Sequence, residues 1–259
     1  MAQKIIFFDI DGTIFMPDIG VPKSTIVAIE KLLENNHIPI ISTGRANALI
    51  PQSLIDIGFK GIIAAAGTDV TFENKIIHQV VEGTEVAKKM GDLLYKGNIA
   101  YILEGPEYIY FDRKQALKID EYVDNAVKAI GMERFKPIDE GNVVYNKISS
   151  RINEDSVVHP KIKEKYEMIY HSKINVIEFV PKGYNKAVGV KKVLEYLGAS
   201  KKDTYAFGDS NNDIEMLDYV EYGVVMGNAS TKILEKARYK TKSIYEDGIY
   251  YGLKEFGLI

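Results

Sequence analysis

The chain has 259 residues, a formal net charge of −3, 46% hydrophobic and 27% charged residues, and no cysteine. That length allows one large domain or two ordinary ones, and the composition excludes disulfides, thiolate catalysis and zinc–thiolate sites and offers no basic surface for nucleic acid. No apolar stretch approaches the ~20 residues of a membrane span and the N-terminus has no signal-peptide pattern, so the expected location is the cytoplasm.

Ile5 to Phe8 is a short continuous apolar run before a Gly-containing turn, the pattern of a strand buried on both faces of a parallel sheet. Ser24 is placed to cap a helix carrying Ile26, Ile29, Leu32 and Leu33. Ile38 to Ile41 is a second apolar run, ending at Ser42-Thr43-Gly44-Arg45. A helix with Leu49, Leu54 and Ile55, disturbed near Pro51, precedes a third run, Ile62 to Ala65. Strand–helix alternation of this kind predicts an α/β fold with a doubly wound parallel sheet.

After about Val81 the pattern changes. Glu85 to Tyr95 is amphipathic, and Ile99 to Leu103 and Tyr108 to Phe111 flank a turn in the manner of a hairpin. Further along, a helix is expected at Gln115 to Ile130, a strand at Val143 to Ile152, a helix at Pro160 to Tyr170 and a strand at Ile174 to Val180. The α/β character returns after Gly183, with a helix at Ala187 to Tyr196, a strand at Thr204 to Phe207, a helix from Ile214, a strand at Tyr222 to Met226 and a helix at Thr231 to Arg238. The expectation is an α/β core of residues 1–81 and 183–259 with an inserted α+β module of residues 82–182.

Ligands of open α/β sheets bind beyond the carboxyl ends of the strands, and polar clusters stand there: Asp9 and Asp11, Ser42 to Arg45, and Gly208 to Asp213, with Lys186 opening a helix. Singly, each has a plainer reading as a turn, a helix cap, a loop or a solvated charge. Together and in this order they are more than punctuation.

The sequence resembles the haloacid dehalogenase superfamily, specifically its Cof-like phosphatases with a large α+β cap of the C2 type. The first motif of that family stands as Asp9-Ile10-Asp11-Gly12-Thr13, the second as Thr43, the third as Lys186 and the fourth as Gly208-Asp209-Ser210-Asn211-Asn212-Asp213. Val225 to Ala229 and Glu246-Asp247-Gly248 also match. The resemblance implies a phosphatase of small phosphate esters, sugar phosphates first, with the module acting as a cap over the active site. Asp9 is implied as the nucleophile that forms an aspartyl-phosphate, and Asp11 as the general acid and base. Mg²⁺ is the implied cofactor, held by the Asp9 carboxylate, the Asp11 backbone carbonyl and the Asp209 carboxylate. Lys186, the Thr43 hydroxyl, the Ile10 and Gly44 amides and Asn212 are implied phosphate contacts, with Asp213 orienting Lys186. A phosphosugar mutase and a non-enzymatic phospho-acceptor module are the alternatives.

One departure stands out. Ala66-Gly67 occupies a place where many relatives have Asn-Gly. His37, His78, His159 and His171 are too scattered for a metal set. In the inserted module Tyr108, Tyr110, Tyr145, Lys147, Arg151 and Glu178 are candidates to face a substrate.

Overall fold

The computed structural model describes residues 2–115, 120–171 and 175–259. Its elements run β1 (Ile5–Phe8), α1 (Lys23–Glu34), β2 (Ile38–Ser42), α2 (Gln52–Ile55), β3 (Gly61–Ala64), β4 (Asp69–Phe72) and β5 (Lys75–Gln79). Next come β6 (Glu82–Gly83), α3 (Thr84–Lys96), β7 (Ala100–Glu104), β8 (Ile109–Phe111), α4 (Asp120–Ile130), β9 (Phe135–Pro137), β10 (Val144–Tyr145), β11 (Lys147–Arg151), α5 (Pro160–Lys165), β12 (Tyr166–His171) and β13 (Val176–Pro181). The chain closes with α6 (Lys186–Leu197), β14 (Thr204–Gly208), α7 (Ile214–Tyr219), β15 (Tyr222–Val225), α8 (Thr231–Lys236), β16 (Tyr239–Lys240) and α9 (Gly248–Glu255).

These form two compact units. The first comprises Met1–Gly44, Ser53–His78 and Asn185–Ile259. Its sheet has the order β16-β15-β14-β1-β2-β3-β4-β5, parallel from β16 to β3 and antiparallel between β3 and β4. All four residues of β1 are buried, as a central strand covered on both faces requires. The chain builds outward from β1 through β2 and β3 on one side and from β14 to β16 on the other, so the order reverses at β1 and β14. Phe8 is in register with both Phe207 and Ile41. The residues after those three therefore emerge together at one end of the sheet, at its switch point.

The second unit comprises Arg45–Gln52 and Gln79–Tyr184. Its six-stranded sheet, β12-β13-β11-β7-β8-β9, is antiparallel except between β8 and β9. Met90, Leu94, Tyr101, Leu103, Ile148 and Phe179 belong to a core on one face, and Ile102, Ile109 and Phe135 to another.

Several expectations are corrected. Ser24 is not the cap of α1. The helix begins at Lys23 behind Pro22, whose fixed φ suits a helix entrance, and Ser24 Oγ instead donates to Asp247 Oδ1 (2.5 Å). The expected strand from Val143 to Ile152 breaks at Asn146, whose N–H and Nδ2 donate to Glu104 O (2.8 Å) and Val80 O (2.9 Å). β10 then pairs with β6, and β11 with β7 and β13. The expected helix from Pro160 to Tyr170 stops at Lys165, because Tyr166 to His171 pair along their length with β13. The β4 and β5 strands lie where no element was expected. They flank Glu73 (φ 46) and Asn74 (φ 63), two consecutive left-handed residues of the primed-turn kind. Residues 116–119 of the expected helix and Ile174 of the expected strand lie outside the described residues.

Candidate active site

Asp9 follows the last residue of β1. It is 4% exposed, and its N–H donates to Phe207 O (3.0 Å). Lys186 is the first residue of α6, behind an Asn185 cap whose side chain accepts from Val188 N–H (3.1 Å). Its Nζ lies 2.6 Å from Asp9 Oδ1 and 2.5 Å from Asp213 Oδ1. The other oxygen of Asp213 accepts from the N–H groups of Asp209 (3.0 Å) and Ser210 (2.9 Å) and from Ser210 Oγ (3.1 Å). Asp213 is thus tied at both oxygens and holds the Asp209 loop and Lys186 in one arrangement.

Asp209 follows β14. Its Oδ1 accepts from Thr13 Oγ1 (3.3 Å), and a Cβ on Gly12 would lie 2.4 Å from its Oδ2. With φ +87 as well, position 12 has no room for a side chain. The Asp11-to-Phe15 turn closes on Ile10, whose carbonyl accepts from the N–H groups of Thr13 (3.2 Å), Ile14 (3.0 Å) and Phe15 (2.9 Å). Asn228 anchors that turn from outside. Its Nδ2 donates to Gly12 O (2.8 Å), and its Oδ1 accepts from Ile244 N–H (2.9 Å).

The electrostatics of this cluster are unbalanced. Asp9, Asp209 and Asp213 each offer a carboxylate oxygen, all within 4.8 Å of one another, while the ion pairs of Asp9 and Asp213 both go to Lys186. Burial opposes the charge of Lys186, but Asp213 and Asp9 outweigh it and hold the ammonium above its usual range. Burial and the Asp213 charge push Asp9 well above the ordinary carboxylate range against the pull of Lys186. The same two causes carry Asp209 to about 7. Oxygen donors with surplus negative charge are the chemistry of a hard divalent cation. Asp9 and Asp209 fit that role best, since Asp213 is already committed.

The comparisons decide the family. Residues 6–253 match the haloacid dehalogenase-like hydrolases. The chain belongs to that family. Its relatives include YkrA of Bacillus subtilis (strain 168), provisionally named a phosphatase, which is 31% identical over 266 residues and 100% of both chains. YitU of the same organism, a 5-amino-6-(5-phospho-D-ribitylamino)uracil phosphatase, is 26% identical over 281 residues, covering 97% of each chain. The solved structure of BT4131, a subclass IIB sugar phosphatase of the haloacid dehalogenase superfamily, superposes with a TM-score of 0.80 at 26% identity, covering 99% of this chain and 100% of that one.

For a haloacid dehalogenase-like hydrolase the remaining motif positions are informative. Asp11 is exposed where Asp9 is buried, so the two acids stand in different surroundings. Thr43 is 1% exposed at the end of β2; its N–H donates to Ile63 O (2.8 Å) and its carbonyl accepts from Ala66 N–H (3.1 Å). Gly44 beside it is half-buried. Asn212 is half-buried, and its Oδ1 accepts from Ser210 Oγ (2.5 Å). Ala66 adopts φ 54 and ψ 38, and Ala65 φ 46. The departure from Asn thus falls at a left-handed position, which Asn tolerates and Ala enters at a cost of roughly 1 kcal/mol. Sequence reasoning noted the stretch around Asn228 without giving that residue a task, and it passed over the Thr13 hydroxyl. The signal for both was their place in the two matching motifs.

In the second unit the candidates separate. Tyr145 is fully buried with its hydroxyl 3.0 Å from that of Tyr166, and Tyr110 is 4% exposed, its hydroxyl donating to Asn142 O (3.4 Å). Lys147, also buried, lies 2.6 Å from Glu178 Oε1 and 3.4 Å from Glu104 Oε2. Ser149 Oγ bonds Glu104, and His171 Nε2 lies 3.5 Å from Glu178 Oε2. Burial works against the charges of both Lys147 and Glu178. The two glutamates nonetheless hold Lys147 above its usual range, and Lys147 with His171 draws Glu178 down to about 2.

Proposed function

We propose that this hydrolase is a Mg²⁺-dependent phosphatase of small phosphorylated metabolites, sugar phosphates foremost, working through an aspartyl-phosphate on Asp9. The observation that carries the reading is the buried Asp9 carboxylate 2.6 Å from the Lys186 ammonium, beside Asp209 and the fully tied Asp213. Two relatives support the substrate class: one is named for a phosphorylated ribityl compound and the other is a sugar phosphatase.

When bound by Asp9, Asp209 and the Asp11 carbonyl, Mg²⁺ supplies positive charge that offsets repulsion between carboxylate and phosphate. In the first step an Asp9 oxygen forms a bond to phosphorus while the bond to the ester oxygen breaks, and Asp11 gives its proton to that leaving oxygen. In the second step a water attacks phosphorus, Asp11 takes the proton, and the bond to Asp9 breaks to release inorganic phosphate. Lys186, fixed by Asp213, faces the phosphoryl oxygens together with the Thr43 hydroxyl. Choice among leaving groups is assigned to residues of the second unit, by resemblance to the family.

The test is phosphate release from a panel of sugar phosphates with and without Mg²⁺. Asp9→Asn should lose about 10⁴-fold or more in kcat while keeping the native circular dichroism. Full activity in that variant would overturn the nucleophile assignment. Asp11→Asn should still trap phosphoenzyme from p-nitrophenyl phosphate, whose leaving group needs little protonation. Isomerised hexose phosphate without free phosphate would favour a mutase instead.

A further inference from the structure

A second concave site lies in the first unit, reaching from the Asn211 turn along α7 to Tyr239. A cavity of about 370 Å³ opens between α7, β15 and α8. Pockets of that size hold small metabolites. Its floor is apolar: Leu217, Val220, Val225 and Ile233 line it, and all four belong to the core of this unit. Its rim is charged and divided. Asp218 and Glu221 stand on the α7 side, and Lys232, Lys236 and Arg238 on or just beyond α8. Asp218, Lys232 and Lys236 form no contact ion pair among the described residues, so their charged groups stay available at the mouth. The Arg238 guanidinium sits 5.1 Å from the Tyr239 ring centroid, which orients one of the three cations at the lip.

An apolar floor with three cations on its α8 side suits a molecule that pairs an apolar body with an anionic group facing that side. We infer that this cavity binds a small amphipathic anion, an apolar body carrying a single carboxylate, sulfonate or phosphate, and that its occupancy is coupled to catalysis through α7. The coupling is built into the chain. Asn211 lines the cavity, and the same turn carries Asp213 directly into Ile214 and α7. Asp213 in turn holds Lys186 at 2.5 Å. Nor is α7 free to yield toward the sheet. A Cβ on Gly223 would lie 2.1 Å from Leu217 O, so the α7 backbone already rests on β15. An occupant pressing from the α8 side therefore displaces α7 along the sheet and with it the turn that carries Asp213. This is an effector site with a physical route to the reacting groups, separate from the substrate's own contacts.

Anilinonaphthalene sulfonate, an amphipathic monoanion, is the probe. Its fluorescence titration reads binding without turnover, so failure here and failure of the phosphatase reading are distinguishable. The wild-type protein should show one saturable site. The double charge reversal Lys232→Glu and Lys236→Glu should weaken it by about tenfold or more, and Asp218→Asn with Glu221→Gln should tighten it, as expected for a charge-steered site. With p-nitrophenyl phosphate and Mg²⁺, probe at about the wild-type Kd should change kcat of the wild type and affect the double reversal far less, while the basal kcat of the two proteins agrees. Equal probe affinity in the wild type and the double reversal would overturn the site. Binding with no change in kcat would overturn the coupling.

Discussion

Each unit buries a lysine between two carboxylates, and the two clusters have opposite characters. Lys147 stands between Glu104 and Glu178 on adjacent strands of an antiparallel sheet, with His171 and Ser149 completing the contacts. Its charges meet partners, and Glu178 is drawn down to about 2. Lys186 stands between Asp9 and Asp213, but a further carboxylate, Asp209, lies within reach of both and is pushed up to about 7. A buried lysine flanked by acids is therefore not in itself the mark of a reactive site. What sets the Lys186 cluster apart is the third carboxylate beside it, a donor set suited to a cation that, with the ammonium, could hold an anionic substrate.

The contrast can be broken experimentally. The largest effect is expected from Lys186→Met, which should reduce kcat by about 10²–10³-fold through loss of a preorganised cation at the phosphoryl group. Lys147→Met should instead be read in stability. Breaking a buried pair costs about 3–5 kcal/mol, and replacing Glu104, Lys147 and Glu178 together by apolar residues of similar size should recover most of it. Urea titration measures both variants, and a severe kcat loss in Lys147→Met without a change in stability would reverse the assignment of the two clusters.

A second contrast concerns added Mg²⁺. At about 100 times its dissociation constant the ion should stabilise the wild type by about 2.7 kcal/mol. Asp209→Asn should fold and show little of this rise in Tm, whereas Glu178→Gln should keep it. A third is pH. The folded-state carboxyl of Glu178 sits near 2 against an ordinary 4.5, so its contribution to stability is present above about 4.5 and is lost as the pH falls toward 2. Glu178→Gln should flatten the acid limb of a denaturation curve across that window. The smallest effect is expected at the anchor of the Asp11 turn. Asn228→Ala removes the hydrogen bonds to Gly12 O and from Ile244 N–H. It should lower kcat by about tenfold, the equivalent of ~1.4 kcal/mol, with a smaller change in KM.

Much of the first unit was legible because its signals are local. Apolar runs such as Ile5 to Phe8 and Ile38 to Ile41 are long enough to be strands and too short to be helices, and each is followed by polar motif residues. The second unit was harder. Tyr166 to His171 continues a stretch that reads as helical, and only its ladder with β13 makes it a strand. Val143 to Ile152 reads as one strand, yet the Asn146 contacts to Glu104 and Val80 split it between two sheets. Pro22 took the place expected of Ser24 because a helix entrance is set by backbone geometry as well as by a capping hydroxyl.

By itself, then, the sequence determined the kinds of group at the site: two acids after β1, a hydroxyl after β2, a lysine opening a helix and an acidic loop after β14. These are properties of short segments, and short segments carry them in composition and spacing. Which charges meet was decided only by tertiary structure. Lys186 and Asp9 are 177 residues apart, and Asn228 and Gly12 are 216 apart. Their contacts depend on the parallel register of β1 with β14 and β2, which brings Asp9, Thr43 and Asp209 to one end of the sheet. The charge balance that distinguishes the Lys186 cluster from the Lys147 cluster follows from the same cause. It is set by how many carboxylates are buried together, and burial is a property of the folded chain.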